Sequence, residues 1–280
     1  MFRYVREEDI DVRVALSANK TYFPIMKIMA YNILEGGEGR IDPLAEVIRL
    51  ADPDVVMVAE GWDEGLFHKL ADRVGMDRFR AENPRNKEGV VGVLSRLKIV
   101  EAVNDAALDP RFTKGACHVI VEAGGGKKLP MLGVHLHARE TLADEEIRMS
   151  ELPALFAVGD LFRGRPHVIA GDFNAYHPQQ VVDVEKLRGK TKDRIKGQGW
   201  QVPRDVVRAI LERGYVDAHA LHHEAKTFGT SFTTSHSAAR VDYVFVTGDL
   251  APRVKSCEVF KPEMARFASD HFPVVCEFDA

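Results

Sequence analysis

Two stretches of this chain set carboxylates, an amide and an imidazole directly beside apolar runs. The run over 166–170 stops at Gly171-Asp172-Phe173-Asn174, and the last apolar run, 272–278, is preceded by Ser269-Asp270-His271. A carboxylate next to a hydrophobic strand is costly to desolvate unless a partner compensates it. Four more polar residues sit at comparable places: Asn32, Glu60 and His135 end or nearly end apolar runs, and Asp242 lies among apolar neighbours in Arg240-Val241-Asp242-Tyr243. If these strand ends share one rim, Glu60, Asp172, Asp242 and Asp270 supply acids beside two amides and two imidazoles. Hard oxygen ligands of this kind suit Mg²⁺ or Mn²⁺ rather than zinc. Amides and imidazoles that donate to oxyanions suit phosphoryl transfer, in which negative charge spreads over equatorial oxygens. A buried Asp242 also calls for a cationic or donor partner, which an imidazolium would supply.

The elements that would position these residues alternate between strand-like and helical patterns. Strands are expected over 27–33, 54–59, 90–94, 99–103, 117–121, 129–136, 167–170, 231–233, 241–246, 254–260 and 273–278. Helices are expected over 43–50, 63–74, 142–158 and 204–213, the last with Val206, Val207, Ile210 and Leu211 on one face. This mixture points to an α/β protein built as a four-layer α/β/β/α sandwich, two facing mixed sheets flanked by helices. Residues 26–280 read as one catalytic domain. Residues 1–25 look detached: either translation begins at Met26 and the leader is not native, or the leader is an extra segment packed on the surface.

At 280 residues and 45% apolar content the chain can bury a substantial core. No apolar run is long enough to cross a bilayer, and the N-terminus carries Glu7-Glu8-Asp9 in place of a secretory hydrophobic stretch. Cys117, Cys257 and Cys276 are odd in number and lie in or beside apolar runs, which reads as core thiols in a reducing compartment, the cytoplasm. The net charge of −4 offers no general attraction to polyanions.

The motifs, in order, resemble the endonuclease/exonuclease/phosphatase superfamily with its deoxyribonuclease-I-like fold. They are YN at 31–32, AE at 59–60, GVLSR at 92–96, VHL at 134–136, GDFNA at 171–175, RVDYVF at 240–245 and SDHFPV at 269–274. The resemblance implies that Glu60 is the principal metal carboxylate, with Asn32 and Asp270 as direct or water-mediated ligands. It implies that Asp172 activates or orients the attacking water and that Asn174 helps hold the phosphate. His271, paired with Asp242, would stabilise the transition state or move a proton, and His135 would donate to a non-bridging phosphate oxygen. The bland readings are an Asx turn at Asp172–Asn174 and a cap at Asp270–His271.

Substrate is less legible. Arg96 and His177, the latter close behind the Asp172 loop, are expected to meet it. Lys186, Arg188, Lys190, Lys192, Arg194 and Lys196 alternate, so in an extended conformation they would form one basic face, with Lys190, Lys192 and Arg194 as its phosphate-tracking centre; the alternative is a solvated loop. The expected activity is divalent-metal-dependent phosphoester hydrolysis by direct attack of water, first of all on a phosphodiester of nucleic acid. A phosphatase or phosphodiesterase acting on a small molecule or lipid headgroup is the alternative, and a catalytically silent binding module is a third reading.

Overall fold

The structure is a computed structural model and describes residues 25–279. The two readings of the leader therefore concern residues outside the described ones, Ile25 apart. In chain order the elements are β1 (Ile25–Asn32), α1 (Ile41–Ala51), β2 (Val55–Ala59), α2 (Glu64–Val74), β3 (Asp77–Asn83), β4 (Asn86–Ser95) and β5 (Ile99–Val103). The single-turn α3 (Asp105–Leu108), β6 (Gly115–Glu122), β7 (Lys128–His135), α4 (Leu142–Asp160), β8 (Val168–Asp172), α5 (Gly189–Gly197) and α6 (Asp205–Glu212) follow. The chain finishes with β9 (Tyr215–Asp217), β10 (Asp242–Thr247), β11 (Val254–Val259), the short α7 (Ala265–Ala268) and β12 (Val274–Asp279).

One sheet has the order β11-β12-β1-β2-β4-β3 and the other β5-β6-β7-β8-β10-β9. Pairs β1–β2 and β7–β8 are parallel and the remaining pairs antiparallel, so both sheets are mixed. Strand residues alternate between two apolar layers, as a period of two requires. Ile28 and Ala30 of β1, Met131 of β7, Ala170 of β8 and Val244 of β10 pack between the sheets. Met29 and Tyr31 turn outward beneath α1 and α2, where Leu44, Ile48, Phe67 and Leu70 cover them. Leu132, Ile169, Tyr243 and Phe245 face Leu152, Leu155, Val206 and Ile210 of α4 and α6. Three buried layers between four structural ones make the expected α/β/β/α sandwich.

The same alternation places the polar residues. Asn32 continues the inner stripe of β1, and His135, Asp172 and Asp242 continue those of β7, β8 and β10. Asp172 pairs in register with His135 on one side and Asp242 on the other, so the three occupy one rung across adjacent strands. Glu60 directly follows β2, which runs parallel to β1, while Asp270 and His271 precede the antiparallel β12. All of them therefore meet at one rim. Gly171 lets this happen: its φ is 145°, and a Cβ there would run into the Val134 carbonyl of β7.

Helix ends fix the flanking loops. The Asp63 side chain accepts from Leu66 N at 2.7 Å and so starts α2 just beyond Glu60. Thr141 and Asp144 form a reciprocal capping box at the start of α4, just beyond His135.

Three expectations need correction. The stretch 231–233 is not a strand; Phe232 makes isolated bridges to Ala239 and His271. Strands β3 and β9 are additions to the expected set. The supposed basic arm is helical over α5, because Ile195 is buried and Thr191 and Arg194, three residues apart, share a face that meets Glu140. No helix among the described residues is long and apolar enough to cross a membrane. The three cysteines are buried and unpaired.

Candidate active site

His271 and Asp242 form the tightest pair at the rim. His271 Nδ1 lies 2.8 Å from Asp242 Oδ2, with both side chains almost fully buried. Burial alone would lower the imidazole, but the surrounding charges of Asp242, Asp172 and Asp270 outweigh it and raise His271 to about 10. It is a cation at neutral pH. Ser269 Oγ accepts from the His271 N–H at 3.1 Å and donates to the Asn32 carbonyl at 2.7 Å, which ties the turn before β12 to the end of β1. Ser231 Oγ accepts from the Val241 and Asp242 N–H groups. Asp242 Oδ1 is buried without a partner.

Asp172 sits between the two imidazoles, its Oδ2 3.9 Å from His271 Nε2 and 3.6 Å from His135 Nε2. Burial first, and then the Asp242 charge, push its carboxyl up to about 7. Its Oδ1 accepts the Asn174 N–H at 2.9 Å, so the Asx turn is present and is part of the site. Asn174, with φ 50°, donates from Nδ2 to the Leu136 carbonyl at 3.2 Å. His135 is held neutral, well below the ordinary imidazole range, by burial and then by the positive charge of Lys114. Its Nδ1 is buried without a partner.

Across the rim, the Asn32 amide Nδ2 donates to Glu60 Oε1 at 3.1 Å and to Asp172 Oδ2 at 3.0 Å. Its oxygen accepts the Leu34 N–H at 3.0 Å. Asn32 thus clamps two carboxylates, and its oxygen is engaged by one backbone N–H. Glu60 has φ 64°, a left-handed conformation unusual for a residue with a side chain. Its Oε2 accepts the Glu35 N–H at 2.8 Å. Asp270 Oδ1 is buried with no hydrogen-bond partner, 3.9 Å from His271 Nε2; burial and the Glu60 charge raise its carboxyl against the lowering charge of His271. Two acids that disfavour each other, one of them orphaned, form an oxygen-only set that fits a hard dication. Asp172, Asp242 and His271 also offer ligand atoms within 4.8 Å of one another. Within that trio His271 Nδ1 and Asp242 Oδ2 are committed to each other, while Asp242 Oδ1 keeps no hydrogen-bond partner.

A second cluster, His219, His223 and Glu258, also falls within ligand spacing. His219 Nδ1 donates to the Cys257 carbonyl at 2.7 Å and Nε2 accepts the Gly229 N–H at 3.0 Å, so neither nitrogen is left for a metal.

Several expected substrate contacts lie elsewhere. Because β4 runs antiparallel to β2, Arg96 emerges beside Asp54 at the pole opposite Glu60, where it pairs with Asp52. His177 is buried against Phe228 and near Asp217, and burial first lowers it to about 4. On α5, Arg194 pairs with Glu140 at 2.8 Å and Lys192 approaches Glu185 at 3.9 Å. Lys190 is exposed. The basic residues do not share one face.

Other residues support the site from outside the rim motifs. Arg148 and Glu151 of α4 are fully buried and hold the loop after His135. Arg148 Nη1 donates to the His137 and Arg139 carbonyls, while Glu151 accepts from the His137 and Thr113 N–H groups. Their signal is charged residues spaced three apart on the face of α4 that also carries Leu152 and Leu155. Lys114, just before β6, is only 9% exposed and has no signal beyond preceding a strand.

The fold has close counterparts among solved structures. An AP endonuclease from Archaeoglobus fulgidus is similar with a TM-score of 0.68 at 19% identity, covering 91% of this chain and all of that one. The 3′ phosphatase NExo from Neisseria, bound to a product DNA hairpin, is similar with a TM-score of 0.68 at 18% identity, with the same coverage. The human Nocturnin catalytic domain with bound sulfate is similar with a TM-score of 0.64 at 19% identity, covering 91% of this chain and 93% of that one. No curated relative matches at a significant level. The profile of the Endonuclease/Exonuclease/phosphatase family matches residues 29–271, which take in the whole rim from Asn32 to His271, and the chain belongs to that family of hydrolases.

Proposed function

We propose that the protein is a divalent-metal-dependent phosphoester hydrolase that cleaves by direct attack of water. The observation that carries this reading is the single rung His135–Asp172–Asp242 closed by a cationic His271. Glu60 and Asp270 would hold Mg²⁺ or Mn²⁺, which when bound would stabilise negative charge on the phosphoryl oxygens. Asp172, near 7, is matched to accept a proton from water at neutral pH. His271 presents a positive charge to the phosphoryl group as negative charge builds, and Asp242 keeps that imidazole charged and oriented. His135, neutral, would donate to a phosphate oxygen from Nε2, the nitrogen that faces Asp172 at 3.6 Å. Asn32 holds Glu60 and Asp172 at a fixed separation, and Asn174 stations its amide beside them.

A phosphodiester is the favoured bond, in keeping with the AP endonuclease whose fold it shares, and nucleic acid is the first substrate class, in keeping with that enzyme and the DNA-bound 3′ phosphatase. The pairing of Arg194 and Lys192 with acids supports a small-molecule or lipid-headgroup ester as the second reading. Metal-dependent cleavage of a labelled duplex carrying an abasic site, run beside bis-p-nitrophenyl phosphate with Asp172→Asn as the blank, decides between them. The variant should lose about two to four orders of magnitude. Turnover of the small diester alone would move the substrate away from nucleic acid, and turnover of neither would overturn the hydrolase reading.

A further inference from the structure

Among the described residues the two fully buried arginines have counter-charges: Arg148 has Glu145, and Arg240 has Asp217. Lys114 does not. Its side chain is nine-tenths withdrawn from solvent, yet its ammonium makes no ion pair and no hydrogen bond among the described residues. Its stem is covered, while the ammonium at its tip stays within reach of the cleft and is given no counter-charge by the protein. The backbone here is held from both sides. The Lys114 carbonyl accepts from Asn83 Nδ2 at 2.7 Å, its neighbour Thr113 is bound through N–H and Oγ1 to Glu151, and Gly89 of β4 packs against it closely enough to exclude a side chain there.

The position is a rim position. Gly115, the next residue, pairs in register with His135, so Lys114 lies at the catalytic end of the second sheet, on the side of His135 away from Asp242. The charge is close enough to help keep His135 neutral. The acids of the rim lie toward Glu60, Asp172 and Asp270, and none pairs with the lysine.

We propose that Lys114 is a substrate-binding residue whose ammonium pairs with a phosphate oxygen on the His135 side of the site, the substrate supplying the counter-charge that the protein withholds. This rests on the phosphoester reading above and extends it. The His135 flank is then cationic and the Asp270 flank anionic, so the phosphoryl group is oriented before attack. A charge-assisted hydrogen bond of this type corresponds to about a 10- to 100-fold effect on binding.

The test compares full-chain wild type with Lys114→Met and Lys114→Arg in the presence of Mg²⁺ or Mn²⁺. Three readouts are taken: Tm without ligand, the rise in Tm on adding inorganic phosphate, and kcat and KM on bis-p-nitrophenyl phosphate. Lys114→Met should melt close to wild type, since the ammonium it removes has no partner in the protein and the methionine keeps the covered stem. It should lose the phosphate-induced rise in Tm and show kcat/KM reduced about 10- to 100-fold, mainly through KM, with partial recovery in Lys114→Arg. A lower Tm with the phosphate response intact would make the lysine structural and overturn the proposal, as would kcat/KM within twofold of wild type. If the methionine variant fails to fold, Lys114→Gln carries the same comparison. Absence of turnover in wild type with every metal would instead strike the phosphoester reading, so the two failures are distinguishable.

Discussion

Replacing Asp242 with asparagine isolates the charge that holds His271 cationic while preserving shape and an acceptor for Nδ1–H. In the wild type His271 stands at about 10, so at pH 7.5 all but about 0.3% of it is protonated. The asparagine leaves burial, which lowers an imidazole, and removes the largest opposing charge. Asp172 and Asp270 still raise the ring against that burial, and an imidazole brought back to its ordinary value of about 6.5 would be about 10% cationic at that pH. Population alone then costs about tenfold. Loss of the 2.8 Å charge-assisted bond that aims the ring should add a further 10- to 100-fold, by analogy with other ionic hydrogen bonds. The expected fall in kcat/KM is about 10² to 10³, or about 2.7–4.1 kcal/mol at 1.36 kcal/mol per decade. Steady-state rates on bis-p-nitrophenyl phosphate at saturating Mg²⁺ supply the first number, and an NMR titration of the His271 ring supplies the second. A ring still titrating above about 9 in the variant, or a rate within threefold of wild type, would refute the reasoning.

Other consequences are structural. Asp217 neutralises fully buried Arg240 through contacts of 3.1 and 2.5 Å; Asp217→Ala strands that guanidinium and should cost about 3–5 kcal/mol in urea unfolding, whereas a loss below about 1 kcal/mol would mean that Arg240 finds another partner. The buried His118, held 2.9 Å from Asp105, is lowered by burial but raised on balance by Asp105. A histidine raised by folding contributes stability that is complete below its unfolded value and is lost as pH rises through the folded one. Unfolding free energies at and just above the ordinary histidine range should therefore decline more steeply in wild type than in Asp105→Asn; parallel profiles would remove the pair from the pH response.

The sequence makes most of this fold legible because strands sandwiched on both faces are almost continuously apolar, as in β1, β2, β7, β8 and β10. Edge strand β3, Asp77–Asn83, hides because Arg78, Arg80 and Glu82 line one face and only Ala81 and Asn83 are buried. The α5 segment misleads because alternate basic residues mimic an extended face, while its helical state depends on one buried residue, Ile195, and on bonds to Glu140, distant in sequence. Arg96 is misplaced for a topological reason: a motif on an antiparallel strand sends its last residue to the far pole. Among the site residues, those ending inner stripes can be found from strand ends. Lys114 cannot, since its meaning lies in a partner missing across the fold, and the spacing of Arg148 and Glu151 on α4 marks them only as buried charges, not as the residues that hold the loop after His135.

The central claim is that the Glu60–Asp270 rim and the Asp172–His271 rung act together in metal-assisted hydrolysis. Its most direct test is the initial rate of bis-p-nitrophenyl phosphate cleavage by chelator-treated protein before and after Mg²⁺ or Mn²⁺ is restored, in wild type and in Glu60→Gln. The account predicts a wild-type rate that vanishes on chelation and returns with metal, and a variant that needs far more metal or stays inactive. A rate indifferent to chelation, or a Glu60→Gln enzyme with the wild-type metal response, would contradict it.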